Sequence, residues 1–113
     1  MYLIISTLKI GGETFMKIKE GVILAGLHLS MRHALLTIDK VYKEHGQELV
    51  ITSALDGEHS AGSLHYYGLA LDIRTRYFAL TEVPIVVNKL KEQLGCSYKV
   101  ILEKTHIHIE RRI

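Results

Sequence analysis

Cysteine, proline and tryptophan are nearly absent from this 113-residue sequence, which has one cysteine, one proline and no tryptophan. The single cysteine, Cys96, excludes an intramolecular disulfide and a cysteine-rich zinc module. One proline and nine glycines exclude collagen-like and low-complexity chains. A formal charge of +2 is too small to predict nucleic-acid binding, which requires a clustered basic face. The apolar residues 1–5 are followed too soon by Lys9 to form a membrane anchor or a signal-peptide core.

The remaining composition is that of one globular domain. Apolar residues make up 48% of the chain and charged residues 23%, which is enough for one core and too apolar for a disordered chain. We therefore expect a single domain over residues 1–113 in a reducing cytosol, since neither an export signal nor a disulfide is present. Residues 1–15 allow two interpretations, a first strand or an extension that precedes a start at Met16. Seven histidines are more than such a short chain usually carries, and they allow a histidine-based metal site.

Hydrophobic periodicity predicts an α+β domain in which about two helices cover one face of a mainly antiparallel sheet. Ser30 and Thr81 are preferred N-cap residues and predict where the two helices start. The polar segment 54–67 has no apolar period, and loops of this length in compact domains are usually functional or disordered. The predicted elements are helices over 30–44 and 81–94 and strands over 49–52, 68–73, 98–103 and 106–111.

The first group of candidate residues is the run Ser63-Leu64-His65-Tyr66-Tyr67-Gly68-Leu69-Ala70-Leu71-Asp72. His65 ends the polar loop. Strand alternation puts Asp72 on the same face as Gly68 and Ala70, whose small size leaves space for a metal and a substrate. An imidazole nitrogen and a carboxylate oxygen are both good zinc ligands. A surface histidine followed by an acidic residue at a strand end gives the same pattern, so this pair is weak evidence by itself.

The second group is the run Glu103-Lys104-Thr105-His106-Ile107-His108-Ile109-Glu110. Strand alternation places His106, His108 and Glu110 on one face. Glu103 joins that face, opposite His106, if the two residues between them form a hairpin turn, and it faces away if the strand is continuous. Lys-Thr is not a favoured tight-turn pair, and both alternatives stay open. The two groups together offer three nitrogen or oxygen ligands and one further carboxylate. A catalytic zinc site requires this set: three protein ligands and a general base.

The pattern Ser63-x-His65-x-x-Gly68-x-Ala70-x-Asp72 resembles the signature of the zinc D-Ala-D-Ala peptidases at all five fixed positions. This family includes D-alanyl-D-alanine carboxypeptidases and dipeptidases, phage L-alanyl-D-glutamate endolysins and the related hedgehog signalling domain. The segment 52–60 resembles the family's lead-in, and the segment 103–108 is similar to its closing element. The ten-residue signature is specific, whereas the closing element is much less so.

The resemblance implies a hedgehog-like fold and a zinc ion (Zn2+) bound by His65, Asp72 and His108. It also implies that Glu103 is the general base and that His106 stabilises charge near the scissile carbonyl. An alternative alignment matches Glu103-x-x-His106 to the family's Glu-x-x-His and makes His106 the third ligand.

The sequence departs from the family pattern at two places. Endolysins place an aspartate three residues before the last ligand, where this chain has Thr105. Many members also carry an arginine after the first strand, and the segment 54–62 has none. Arg32 or Arg74 could substitute for it.

The function implied by the resemblance is a zinc-dependent peptidase that cleaves peptidoglycan stem peptides next to a D-amino acid. By analogy with the family, the small size and the lack of a signal peptide suit a phage or prophage lysis enzyme, made in the cytoplasm and acting on the cell wall after release. We expect a monomer whose partners are peptidoglycan peptides, without nucleic acid or a membrane anchor. Two alternatives are a zinc-stabilised binding domain without turnover, as in hedgehog proteins, and a phage structural protein that retains the fold. The presence of Glu103 favours the enzyme.

Four other residues receive simpler interpretations. Ser63 has no serine-nucleophile partners independent of the metal, so we interpret it as a hydrogen-bonding residue that orients a ligand. His59 lies close to the signature and could shape the pocket, but we favour an ordinary exposed loop histidine. Cys96 is interpreted as a small buried residue. Glu110 is interpreted as part of a solvated chain end.

Overall fold

The computed structural model describes residues 2–6, 15–57 and 59–112. Within these residues the chain forms six strands, two α-helices and one 3₁₀ helix. In chain order they are β1 (Tyr2–Ser6), β2 (Phe15–Lys19), α1 (Leu29–Glu44), β3 (Leu49–Ser53), the 3₁₀ helix (Leu64–Tyr67), β4 (Ala70–Arg74), α2 (Val83–Leu94), β5 (Tyr98–Leu102) and β6 (His106–Arg111).

The strands form one mixed sheet in the order β1-β2-β3-β4-β6-β5. β2 and β3 are parallel, whereas the other neighbouring pairs are antiparallel. The α+β class is confirmed, but the prediction of a mainly antiparallel sheet is corrected to a mixed one. The physical reason is α1, which follows β2 as a crossover connection and lets β3 run beside β2 in the same direction.

The beginning of the chain contains a strand. Tyr2–Ser6 pairs antiparallel with β2, from Tyr2 opposite Lys19 to Ser6 opposite Phe15. Whether this segment is an extension that precedes a start at Met16 stays open, and Met1 and residues 7–14 lie outside the described residues.

Strand alternation gives the sheet one face in the core and one face that carries polar side chains. Leu71 and Ile73 of β4 and Ile107 and Ile109 of β6 are fully buried. α1 and α2 contact each other, and the apolar stripe of α1 completes this core. The buried residues of that stripe are Met31, Ala34, Leu35, Ile38, Val41 and Tyr42. The intervening residues of β4 and β6 therefore point to the opposite face, away from the helices.

The helix starts differ from the predictions by one or two residues. His28, not Ser30, is the N-cap of α1, and its ring nitrogen Nδ1 accepts a hydrogen bond from the backbone N–H of Ser30 (3.1 Å). Glu82, not Thr81, precedes α2 and makes no capping hydrogen bond with its side chain. Cys96 is exposed, so the prediction that it is buried is wrong. None of the helices in the described part of the chain is long and apolar enough to cross a membrane.

Candidate metal centre

The pairing of β4 with β6 builds one side of the candidate site. Asp72 lies directly opposite His108, and Arg74 lies directly opposite His106. Directly opposed side chains on one face of an antiparallel pair are within about 4.5–5.5 Å at their Cβ atoms. The register of these two strands therefore brings together a carboxylate and an imidazole that are 36 residues apart in the sequence.

His65 reaches the same place from the 3₁₀ helix before β4. The hydroxyl of Ser63 accepts a hydrogen bond from the backbone N–H of His65 (3.3 Å) and so caps this helix. Its predicted role in orienting a ligand side chain stays a prediction. Gly68 ends this helix with a φ of 70°, and a Cβ atom there would collide with the carbonyl oxygen of Gly26. Gly68 is thus a turn residue that docks the loop, and β4 begins only at Ala70.

Three ligand atoms meet at this point. His65 Nε2 lies 3.3 Å from Asp72 Oδ1 and 3.2 Å from His108 Nδ1, and the last two atoms are 2.9 Å apart. Ligands about 2.0–2.1 Å from a zinc ion at tetrahedral angles lie about 3.3 Å from one another. The three atoms therefore nearly form one face of a tetrahedron, and the residues fit a three-ligand site with an open fourth position.

Hydrogen bonds on the far side of each ring indicate where the protons lie. His65 Nδ1 is 2.7 Å from the carbonyl oxygen of Ala54, which can only accept, so Nδ1 carries the proton of the neutral ring. His108 Nε2 is 2.8 Å from a carboxylate oxygen of Glu110, which likewise accepts. The two neutral rings then direct lone pairs toward Asp72 Oδ1, and three acceptors face one another. A metal ion among them, or a second proton on the His108 ring at Nδ1, turns this repulsion into attraction.

The charges of the site agree with this arrangement. Burial raises the pKa of Asp72, but the interactions with His108 and His65 outweigh burial and hold the pKa of this carboxyl well below its ordinary value. The hydrogen bond with Asp72 raises the pKa of His108 although the ring is partly buried, and Glu110 adds to the increase. A second proton on the His108 ring, at Nδ1, and a metal ion therefore compete for the same place beside Asp72.

His59 has a closer relation to the site than the sequence predicted. Its ring is stacked on His65, with the ring centres 4.0 Å apart and the planes 5° from parallel. Its Nε2 atom lies 2.9 Å from the carbonyl oxygen of Asp56. The hydroxyl of Tyr66 accepts a hydrogen bond from the backbone N–H of His59 (2.6 Å) and donates one to the backbone carbonyl of the same residue (2.8 Å). The interpretation of His59 as an ordinary exposed loop residue is wrong, because the ring closes one side of His65.

Glu103 and His106 lie beside the three ligand atoms, not among them. The backbone N–H of Glu103 donates to the carbonyl of His106 (2.9 Å), which makes Lys104 and Thr105 a two-residue turn and resolves the open alternative in favour of the hairpin. His106 Nε2 is 3.7 Å from Asp72 Oδ2, and the group of mutually close ligand atoms in the described residues contains His108 instead. Glu103 is exposed.

A cleft of about 810 Å³ extends from Asp72 along the end of the sheet. Glu103 and His106 line it, and its apolar part is formed by side chains of the β4–α2 connection, the start of α2 and the end of β5. Its charged residues are four basic and two acidic ones, namely Lys19, Arg74, Arg76, Lys104, Asp72 and Glu103. The cleft therefore carries a net positive charge beside the candidate ligands. Of the two arginines considered from the sequence, Arg74 lines the cleft, whereas Arg32 donates to the carbonyl of Leu27 on α1's side of the fold.

No protein-family model matches this chain, and no curated protein matches its sequence. The resemblance to the zinc D-Ala-D-Ala peptidases therefore stays a prediction from the motif. What the structure adds is the group formed by His65, Asp72 and His108.

Proposed function

We propose that this chain is a zinc-dependent metallopeptidase that cleaves peptidoglycan stem peptides next to a D-amino acid. The observation that carries the proposal is the meeting of three acceptor atoms from His65, Asp72 and His108 at 2.9–3.3 Å, next to a cleft. A mixed nitrogen and oxygen donor set without a thiolate, with one position open, is typical of catalytic zinc. The signature that includes two of these ligands supplies the substrate class.

A zinc ion held by these residues supplies a Lewis acid that polarises a carbonyl and lowers the pKa of water to about 7. The protein contributes the orientation of the three ligand side chains. The carbonyl of Ala54 holds the ring of His65, and the register of β4 and β6 holds Asp72 against His108. Ligands that are fixed by the fold before the metal arrives lose little conformational freedom when they bind it.

Glu103 and His106 have two different roles in the proposed reaction, proton transfer and stabilisation of negative charge. Glu103 lines the cleft as an exposed carboxylate that can accept a proton from the attacking water and pass it to the departing amine. Thr105 Oγ1 is 3.2 Å from His106 Nδ1, and when this hydroxyl donates, His106 carries its proton on Nε2. That N–H can donate a hydrogen bond to the carbonyl oxygen as negative charge develops on it.

The charge of the cleft suits a peptide with free carboxylates. Arg74, Arg76, Lys19 and Lys104 outnumber the acidic residues there, and a positively charged cleft attracts anionic substrates. Stem peptides carry carboxylates at their ends and on their side chains. We further propose that the protein acts as a monomer and meets this substrate in the cell wall after release from the cytoplasm.

The decisive experiment measures zinc content and peptide release from purified peptidoglycan for the parent and for Glu103→Gln. A general base contributes about 10²–10⁴-fold, so the variant should keep zinc and cleave about two to four orders of magnitude more slowly. Glu92→Gln, on the exposed surface of α2, is the matched control and should cleave like the parent. Equal rates for Glu103→Gln and the parent would show that Glu103 is not the base.

A second function is favoured by one observation. Glu103 is exposed, and among the described residues no hydrogen bond joins its carboxylate to His65, Asp72 or His108. A zinc-stabilised binding domain of the same fold, whether a receptor module or a phage structural domain, needs the ligands and no base. Stoichiometric zinc in a parent protein that releases no peptide from several types of peptidoglycan would support this second function.

A further inference from the structure

Glu110 lies two residues after His108 on β6 and on the same face of the sheet. Its carboxylate oxygen Oε1 is 2.8 Å from His108 Nε2, which is the ring nitrogen opposite the one that faces Asp72. The side chains of both residues are mostly buried, with 16% of His108 and 24% of Glu110 exposed. A hydrogen bond of this length between partly buried partners restricts the rotation of the imidazole ring.

We propose that Glu110 is a positioning residue that selects Nδ1 of His108 as the metal-binding nitrogen. A neutral imidazole has one N–H, and the nitrogen that donates cannot bind a metal. Because Glu110 accepts at Nε2, the lone pair remains on Nδ1, the atom that faces His65 and Asp72. The proposal rests on the metal centre of the proposed function.

The neighbours of Glu110 across the sheet suit this role. Lys99 lies directly opposite on β5 and brings a positive charge to the same face of the sheet as the carboxylate of Glu110. Ala70 lies directly opposite on β4 and has no polar side-chain atom to compete for that carboxylate. Carboxylates that hold the second nitrogen of a metal-binding histidine are a general feature of zinc sites, and their removal typically costs about 10–100-fold in metal affinity.

The same geometry argues against Glu110 as the general base. Its carboxylate accepts a hydrogen bond from Nε2, at the edge of the His108 ring that is turned away from Asp72 and the cleft. Glu110 is also not among the residues that line the cleft. Glu103 and Glu110 therefore differ in what their removal should do: one should change turnover, and the other should change metal affinity.

The test is zinc affinity, measured by competition with a chromophoric chelator, for the parent, Glu110→Ala, Glu110→Gln and Glu103→Ala. Glu110→Ala should bind zinc about 10–100-fold more weakly than the parent. Glu110→Gln should lose less, because its amide oxygen still accepts from Nε2. Glu103→Ala is the matched control and should keep the parent's affinity. Parent-like affinity in Glu110→Ala, or an equal loss in Glu103→Ala, would overturn the proposal.

Nitrogen-15 NMR of the zinc-loaded parent tests the same proposal without a substitution, which matters if Glu110→Ala does not fold. His108 should show a protonated Nε2 and a metal-bound Nδ1. A metal-bound Nε2 in His108 would contradict the role of Glu110 while leaving the zinc centre intact. A parent protein that binds no zinc would instead overturn the metal centre itself, and the role of Glu110 with it.

Discussion

Zinc should stabilise the folded protein strongly, because the three candidate ligands come together only when the chain folds. His65 belongs to the 3₁₀ helix, Asp72 to β4 and His108 to β6, and 43 residues separate the first from the last. A ligand that binds the native state and not the unfolded chain raises the free energy of unfolding by RT ln(1 + [L]/Kd). Removing zinc with a chelator is therefore the perturbation, and the melting temperature is the readout.

The expected shift follows from the size of the chain. Free zinc at 100 times its Kd contributes about 2.7 kcal/mol to the free energy of unfolding. The entropy of unfolding is about 2.1 cal/mol/K per residue, or about 0.24 kcal/mol/K for 113 residues. Dividing the first quantity by the second predicts that zinc raises the melting temperature by about 11 °C.

Circular dichroism melts with chelator and with zinc measure this shift in the parent, in three single variants and in one double variant. His65→Ala and Asp72→Ala each remove a ligand and should abolish the zinc-dependent part of the shift. His33→Ala changes a histidine that is exposed on α1 and should retain all of it. A parent melting temperature that does not respond to zinc, or a His65→Ala/Asp72→Ala double variant that keeps the full shift and stoichiometric zinc, would refute the assignment.

Three further measurements test the site and the loop that carries it. Elemental analysis should find no zinc in His108→Ala and one zinc per chain in His106→Ala, and the reverse result would make His106 the third ligand. In the presence of a chelator, the two pKa shifts make the free energy of unfolding depend on pH. Because folding raises the pKa of His108, its protonated ring stabilises the folded protein fully below about pH 6.5. Because folding lowers the pKa of Asp72, its ionised carboxylate stabilises the folded protein fully above about pH 4. Chemical unfolding should therefore show a loss of stability as the pH rises through the pKa of His108, and a profile equal to that of Asp72→Asn would contradict this. In a urea titration, Gly68→Ala should lower the free energy of unfolding by about 3 kcal/mol or more, because its Cβ atom would collide with the backbone. Gly62→Ala, at a similar positive φ but in open space, is the control and should lower it by about 1 kcal/mol. Equal losses in the two variants would contradict the predicted collision.

The part of the site that lies on strands could be predicted from the sequence. The side-chain period of a strand is two, so the alternation in the segments 68–73 and 106–111 was sufficient to put Asp72 and His108 on polar faces. The same alternation puts Ile107 and Ile109 on the opposite face of β6, where they are fully buried. The direct opposition of Asp72 and His108 depends on the register between β4 and β6, which no local pattern contains.

The parts that could not be predicted depend on long-range pairing or on loop conformation. The parallel pairing of β2 with β3 is set by the path of α1 across the sheet, and neither strand's own residues encode it. The stacking of His59 on His65 requires the backbone path of a polar loop that has no period. Glu110 resembled a solvated chain end because charged residues follow it, but the parity that it shares with His108 was the signal that could have identified its hydrogen bond.

The proposed metal binding and the proposed catalysis rest on different kinds of structure in this protein. His65, Asp72 and His108 are held by a capped turn, a buried strand and a second strand that pairs with it, so a change at any of them disturbs packed elements as well as the metal. Glu103 stands at the edge of a two-residue turn and is exposed, so its replacement should cost little stability. If the proposed function is correct, a single surface substitution at Glu103 should therefore remove turnover while the metal stays bound. Zinc content alone consequently cannot distinguish the peptidase from the binding domain, and peptide release by the parent compared with Glu103→Gln is the measurement that separates them.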